Sequence, residues 1–125
     1  EELVSVYDVG LTNRTEADGM AVARMSAFVA RVMRNMLAGV FTVKDADLFR
    51  WLRLSHETQN IRLEPSAAAA FAGPDFLVNH RSGQKFCQQQ GISDMRKATH
   101  VVWTTGGLFV PQDQYESFLE RAVAA

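Results

Sequence analysis

Apolar and polar positions fall along this chain in short blocks whose period changes from one to the next. Leu3 to Val9 alternates as Leu, Val, Ser, Val, Tyr, Asp, Val, the period of two expected of a strand, and Gly10 ends it. A polar loop runs from Thr12 to Val22, with Thr15 placed to cap a helix and Gly19 arguing for a turn first. From Met25 the period lengthens: Met25, Phe28, Val29, Val32, Met33, Met36 and Leu37 recur at steps of three and four, opposite Arg31, Arg34 and Asn35. That spacing predicts an amphipathic helix that buries its apolar stripe in the core and stops at Gly39.

Val40–Val43 reads as a short buried strand, and Asp45 and Asp47 open a second helix through Leu48, Trp51 and Leu52 to about Gln59, since acids favour a helix N-terminus. Ile61–Glu64 is the next strand, broken by Pro65; Ser66 is placed to cap a third helix beginning with Ala67 to Ala70, interrupted at Gly73-Pro74. The polar segment to Gly91 reads as helix broken near Gly83, and Ser93 to Ala98 as one helical turn. Thr99 to Thr105 is a β-branched run stopped by Gly106-Gly107, a buried strand ending at a tight turn. Pro111 then sets up a closing helix with Tyr115, Phe118, Leu119 and Ala122 or Val123 on one face. Strand and helix alternate throughout, which predicts an α/β fold: a mostly parallel sheet flanked by helices, as a single unit over residues 1–125.

Composition narrows the class. With 47% apolar and 22% charged residues the chain is too apolar for a disordered segment. A net charge of −1 gives no electrostatic case for nucleic acid or an anionic membrane, and Arg24, Arg31 and Arg34 at helical spacing read as a solvated face. No apolar run approaches a membrane span and no signal-peptide pattern is present, so a cytoplasmic location is the default expectation. Cys87 stands alone as an inert helix residue; His56, His80 and His100 lack motif context, and no metal-ligand spacing occurs.

Candidate chemistry gathers at three loops. In open α/β sheets ligands bind beyond the carboxyl ends of strands, where glycines let backbone approach closely. On the predicted sheet the Asp18-Gly19 loop, the Glu64-Pro65-Ser66 corner and the Thr105-Gly106-Gly107 turn can face one crevice, with the Thr105 hydroxyl pointing into it. Taken singly, Glu64 reads as a surface carboxylate, Ser66 as a cap and Asp18 as a turn residue. No catalytic constellation is complete: the chain has no Ser-His-Asp arrangement, no purposeful carboxylate pair and no P-loop.

The same three segments resemble a known family. Thr15-Glu16-Ala17-Asp18-Gly19-Met20-Ala21-Val22 followed by Ser26-Ala27-Phe28-Val29-Ala30-Arg31, then Ile61-Arg62-Leu63-Glu64-Pro65-Ser66-Ala67, then Ala98 to Gly107 with Val110-Pro111, are similar to stretches of bacterial D-serine dehydratase. The resemblance is continuous from about Ser5 to Leu119. The loop and the Glu-Pro-Ser-Ala corner also suit the wider class of fold-type II pyridoxal-phosphate enzymes, including threonine dehydratase and serine racemase; the Thr-His-x-Val-Trp-x-Thr-Gly-Gly run points to the D-serine branch. Thr104, where the family often has Ala, and Leu108-Phe109 are departures.

The resemblance implies the C-terminal portion of the large domain of such an enzyme, which removes water and ammonia from D-serine to give pyruvate. It implies pyridoxal 5'-phosphate as cofactor, with Thr105, Gly106, Gly107, Glu64, Asp18 and Gly19 on the cofactor site and Thr105 facing the ring nitrogen. The family's Schiff-base lysine and glycine-rich phosphate loop would lie upstream: Lys44, Lys85 and Lys97 sit in helices or at a helix start without the required context. The chain is therefore expected to supply no catalytic residue, to lack activity and not to retain the cofactor alone, to need the missing N-terminal part as its partner, and to self-associate through the surface left open. Two alternatives stand beside this: a fragment of a related dehydratase or racemase, or a non-catalytic α/β module that binds a metabolite. The resemblance allows for a monovalent cation without placing one.

Overall fold

In a computed structural model, residues 4–122 are described. Helices dominate. After a 3₁₀ turn at Tyr7–Val9 and another at Asp18–Met20 come α1 (Ala27–Met33), α2 (Asp45–Gln59) and α3 (Pro65–Ala68). A 3₁₀ turn at Ala69–Phe71 leads into α4 (Ala72–Asn79); α5 (Arg81–Gln89), a 3₁₀ turn at Met95–Lys97 and α6 (Gln112–Arg121) complete the order.

The expected parallel sheet is not there. Among the described residues no segment forms a strand, and the β pairing consists of a single antiparallel bridge between Ser5 and Arg24. A β-branched run becomes a strand only when a second one fills its N–H and C=O groups. None of the four predicted strands is laddered to another, and two that read as buried lie at the surface, with Val40 85% and Val101 89% exposed. Of the first, Leu3 lies outside the described residues; further along, the Asp8 carboxylate accepts from Ser5 N at 2.7 Å and Ser5 Oγ at 2.8 Å, curling the chain into a turn that Gly10 ends at φ 76°.

The helices follow the sequence more closely. α2 keeps the expected limits, with Leu48, Phe49, Leu52 and Ser55 on its buried face and Asn60 closing it in the left-handed region. α6 starts after Pro111 and buries Tyr115 and Phe118; Val123, an alternative for its apolar face, lies outside the described residues. Leu63 and the alanines of α3 pack between these two helices, so Phe49, Leu52, Leu63, Ala67, Ala68, Tyr115 and Phe118 form one core.

Elsewhere the boundaries move. α1 is shorter than predicted and its apolar stripe is not core: Phe28 is 69% exposed and Val29, Val32, Met36 and Leu37 are open as well. Pro65, not Ser66, starts α3, with Glu64 as the extended N-cap; the Ser66 Oγ is buried without a hydrogen-bond partner. Gly73-Pro74 lies inside α4, where a proline in the first turn costs no helical hydrogen bond. The next break falls at His80 (φ −104°, ψ 137°), three residues before Gly83. Gly83 instead lets α5 press onto α4, because any Cβ there would meet the Phe76 carbonyl and Leu77 Cα.

Candidate functional site

The Asp18 loop is fixed from below by α2. Asp45, in the first turn of that helix, accepts from Thr15 Oγ1 at 2.6 Å and from Glu16 N at 2.9 Å, while Thr15 Oγ1 accepts from Ala17 N at 3.0 Å. Thr15 thus shapes a loop and caps no helix. The Glu16 carboxylate pairs with Arg121 at the end of α6, at 3.0 and 3.1 Å, and this hydrogen bond holds its carboxyl below the usual glutamate range. Ala17 is buried with Leu48 and Ala69. With its neighbours pinned, the loop presents Asp18, whose Oδ1 accepts from Gly19 N at 2.8 Å.

Gly19 lies directly on the Glu-Pro-Ser corner. A Cβ at that position would come 2.8 Å from Ser66 Oγ and 3.5 Å from Glu64 Oε1, so any other residue would require the Ser66 side chain to shift. Gly106 and Gly107 close on the same corner from the other side. Both take positive φ, 66° and 73°, and neither has room for a side chain: Gly106 faces the Glu64 carboxylate and Gly107 the backbone of Arg62 and Leu63. Positive φ and close approach together explain two consecutive glycines here.

The three segments therefore do converge, without the predicted sheet. They border a cavity of about 430 Å³ whose wall includes Asp18, Glu64, Gly106 and Gly107, together with Phe109 and Gln114. Thr105, expected to point into it, is exposed next to Gly106 and is not among the residues lining the cavity. Glu16, Asp18 and Glu64 give the wall carboxylates, and no Lys or Arg lines it. Such a wall does not suit a phosphate.

Other candidates stay apart. His56 meets Tyr115, His80 lies 4.0 Å from Asp75, and His100 is exposed. Cys87 is buried in α5, with Met95 Sδ 3.7 Å away. Among the described residues no group of three His, Cys, Asp or Glu can hold a metal ion, and no helix is long and apolar enough to cross a membrane. Lys44 stands at the N-terminal boundary of α2, Lys85 lies in α5 and Lys97 in a 3₁₀ turn, as expected. Sequence reading missed Asp45, Gln114 and Phe109 as parts or supports of this site; Asp45 reaches Thr15 across thirty residues, which no local pattern signals.

No family model matches the chain. Curated relatives do. It is 74% identical, over its whole length, to a probable D-serine dehydratase of Sinorhizobium medicae, and 65% identical over 99% of its length to one of Rhizobium leguminosarum bv. trifolii. A more distant protein of the same name from Burkholderia lata is 48% identical over 97% of the chain. The chain spans about 28% of the length of the first two relatives. By sequence, then, the chain is similar along nearly all of its length to one segment of proteins named probable D-serine dehydratase.

Proposed function

We propose that this chain is the C-terminal segment of a pyridoxal-phosphate-dependent D-serine dehydratase, a cytoplasmic enzyme that converts D-serine to pyruvate and ammonia by β-elimination. In that enzyme it supplies one wall of the cofactor site. The observation that carries this reading is the meeting of the Asp18-Gly19 loop, Glu64 and Gly106-Gly107 at one cavity, in a chain whose relatives bear that name.

The residues present fit part of the cofactor. The paired glycines leave backbone bare against the cavity, a cradle that any Cβ would fill, and the buried, unpartnered Ser66 Oγ beside Gly19 marks a polar corner made for more than packing. The acidic lining offers a phosphate no cation, so in this reading the phosphate and the cofactor-holding lysine belong to the rest of the enzyme. When bound, the cofactor supplies the electron sink for the substrate's α-carbanion. Thr105, exposed beside Gly106, would be the residue to offer a hydroxyl to the ring nitrogen. An uncharged partner does not hold that nitrogen protonated as a carboxylate would, and the milder sink suits a reaction in which the leaving hydroxyl carries electrons away. Gly106 and Gly107 would let the cofactor approach the backbone closely, with Glu64 and Asp18 beside it.

The apolar surface left open on this chain fits the same reading. Phe28 and Met36 in and after α1, and Val101, Trp103 and Phe109 near the glycine turn, are each at least 69% exposed, large apolar side chains that folded proteins ordinarily cover. We assign it to contact with the remainder of the polypeptide.

Thr105→Ala in the whole enzyme tests the cofactor role. Losing one hydrogen bond of about 1–3 kcal/mol weakens cofactor affinity roughly ten- to a hundred-fold in an absorbance titration. An unaltered titration with only a lowered Tm would refute the assignment.

A further inference from the structure

Arg62 binds together the pieces that frame the cavity without lining it. Its Nη1 donates to Gln112 Oε1 at 2.8 Å and its Nη2 to the Val110 carbonyl at 3.0 Å. The guanidinium lies over the buried ring of Tyr115, 4.2 Å from Cζ to centroid, and its Nε is buried with no partner. The backbone of the same residue forms the floor under Gly107, and two residues on, the Glu64 carboxylate faces Gly106.

This arrangement acts on the least constrained part of the site. Thr105-Gly106-Gly107 has no ladder to hold it, and its two glycines have the widest backbone freedom of any residue. What closes the turn is local: Leu108 N donates to the Gly106 carbonyl at 2.8 Å and Val110 N to the Gly107 carbonyl at 3.3 Å. Val110 is therefore the far end of the turn, and its carbonyl is the group Arg62 holds. Gln112, the second anchor, opens α6. A planar fork can stack on Tyr115 while its two terminal nitrogens reach two acceptors; a lysine ammonium, on a flexible stem, cannot hold all three contacts.

We propose that Arg62 is a positioning residue: it sets the placement of the Thr105-Gly106-Gly107 turn against Glu64, and so the shape of the cofactor wall, from outside the cavity. This rests on the reading of that cavity as part of a pyridoxal-phosphate site. A residue that serves stability alone would lower Tm and the folded fraction, and leave the affinity of the folded enzyme untouched.

The test uses the whole enzyme with Arg62→Gln, Arg62→Lys and, as a mild variant that removes one exposed anchor, Gln112→Ala. Cofactor affinity is titrated by absorbance, kcat and KM for D-serine are separated, and amide exchange is followed at Leu108 and Val110. Arg62→Gln and Arg62→Lys are expected to weaken cofactor affinity and lower kcat by roughly ten- to a hundred-fold, as a misplacement near 1 Å does, with KM little changed. Exchange at Leu108 and Val110 should rise in both, and to a lesser degree in Gln112→Ala, while the amides of α2 stay as in the wild type. If Arg62→Gln does not fold, the other two variants carry the comparison. Folded variants with wild-type affinity and wild-type exchange at Leu108 and Val110 would overturn the proposal. A wild-type enzyme that binds no pyridoxal phosphate would instead overturn the reading of the cavity, with the exchange data still deciding whether Arg62 holds the turn.

Discussion

Gly106 shows how much a single residue can be asked to do. Its φ of 66° disfavours any side chain, and the carboxylate of Glu64 occupies the space a Cβ would need. Gly106→Ala therefore combines about 1–2 kcal/mol of left-handed strain with displacement of Glu64, and should lower both Tm and cofactor affinity in the whole enzyme. Calorimetry and an absorbance titration would check the two losses separately. Glu16 gives a pH signature. Its carboxyl lies below the ordinary value of 4.5 because it accepts from Arg121, so the pair's stabilisation is present above that value and is lost as pH falls through the lower folded one. The pair is largely solvent-exposed, so the loss is under about 1 kcal/mol, and Glu16→Gln should flatten the acid limb of the stability profile as pH falls below the ordinary glutamate value of 4.5. Glu64, Asp18, Gly19 and the glycine pair were legible in the sequence because each sits in a short motif. Asp45 under Thr15, Arg121 on Glu16 and Arg62 on Val110 were not, since each partner lies 30, 105 or 48 residues away.

Among the elements, α2 and α6 were read correctly because local signals and packing agree in them. Acids at the first turn, apolar residues at helical spacing and a left-handed Asn60 all mark α2, and its Leu52 is fully buried. Leu52→Ala should cost about 2–5 kcal/mol, read as a drop in denaturant midpoint. Gly83→Ala tests the α4–α5 contact differently, by inserting a methyl group where the Phe76 carbonyl already sits; overpacking of about 1–3 kcal/mol is expected. The strands were misread for one physical reason. Alternation and β-branching describe a surface that fits a sheet, whereas strand formation also needs a neighbouring strand, which a one-dimensional pattern does not supply. Leu63 keeps its buried place with no ladder, while Val101 and Trp103, the most strand-like residues of all, stay exposed. α1 failed the opposite way: its period is helical and a helix forms, but no described element covers its stripe.

At the scale of the molecule, the site is legible as a convergence and the fold only as a set of helices. Three motifs far apart in the chain do meet at one cavity, and the frame that brings them together is α2, α3 and α6 rather than a sheet. On the proposed reading the isolated chain, with its apolar surface open, is expected to self-associate as concentration rises, and the remaining length of a whole polypeptide would cover that surface. Light scattering on the chain should show dimers or larger species; a clean monomer at high concentration would count against the covered-face assignment. The most direct measurement is pyruvate release from D-serine by the whole polypeptide that carries this chain, compared with the chain alone, both supplied with pyridoxal phosphate. Pyruvate and ammonia in equal amounts from the former and none from the latter is the predicted result. Turnover by the isolated chain, or no cofactor binding and no pyruvate from the whole polypeptide, would contradict it.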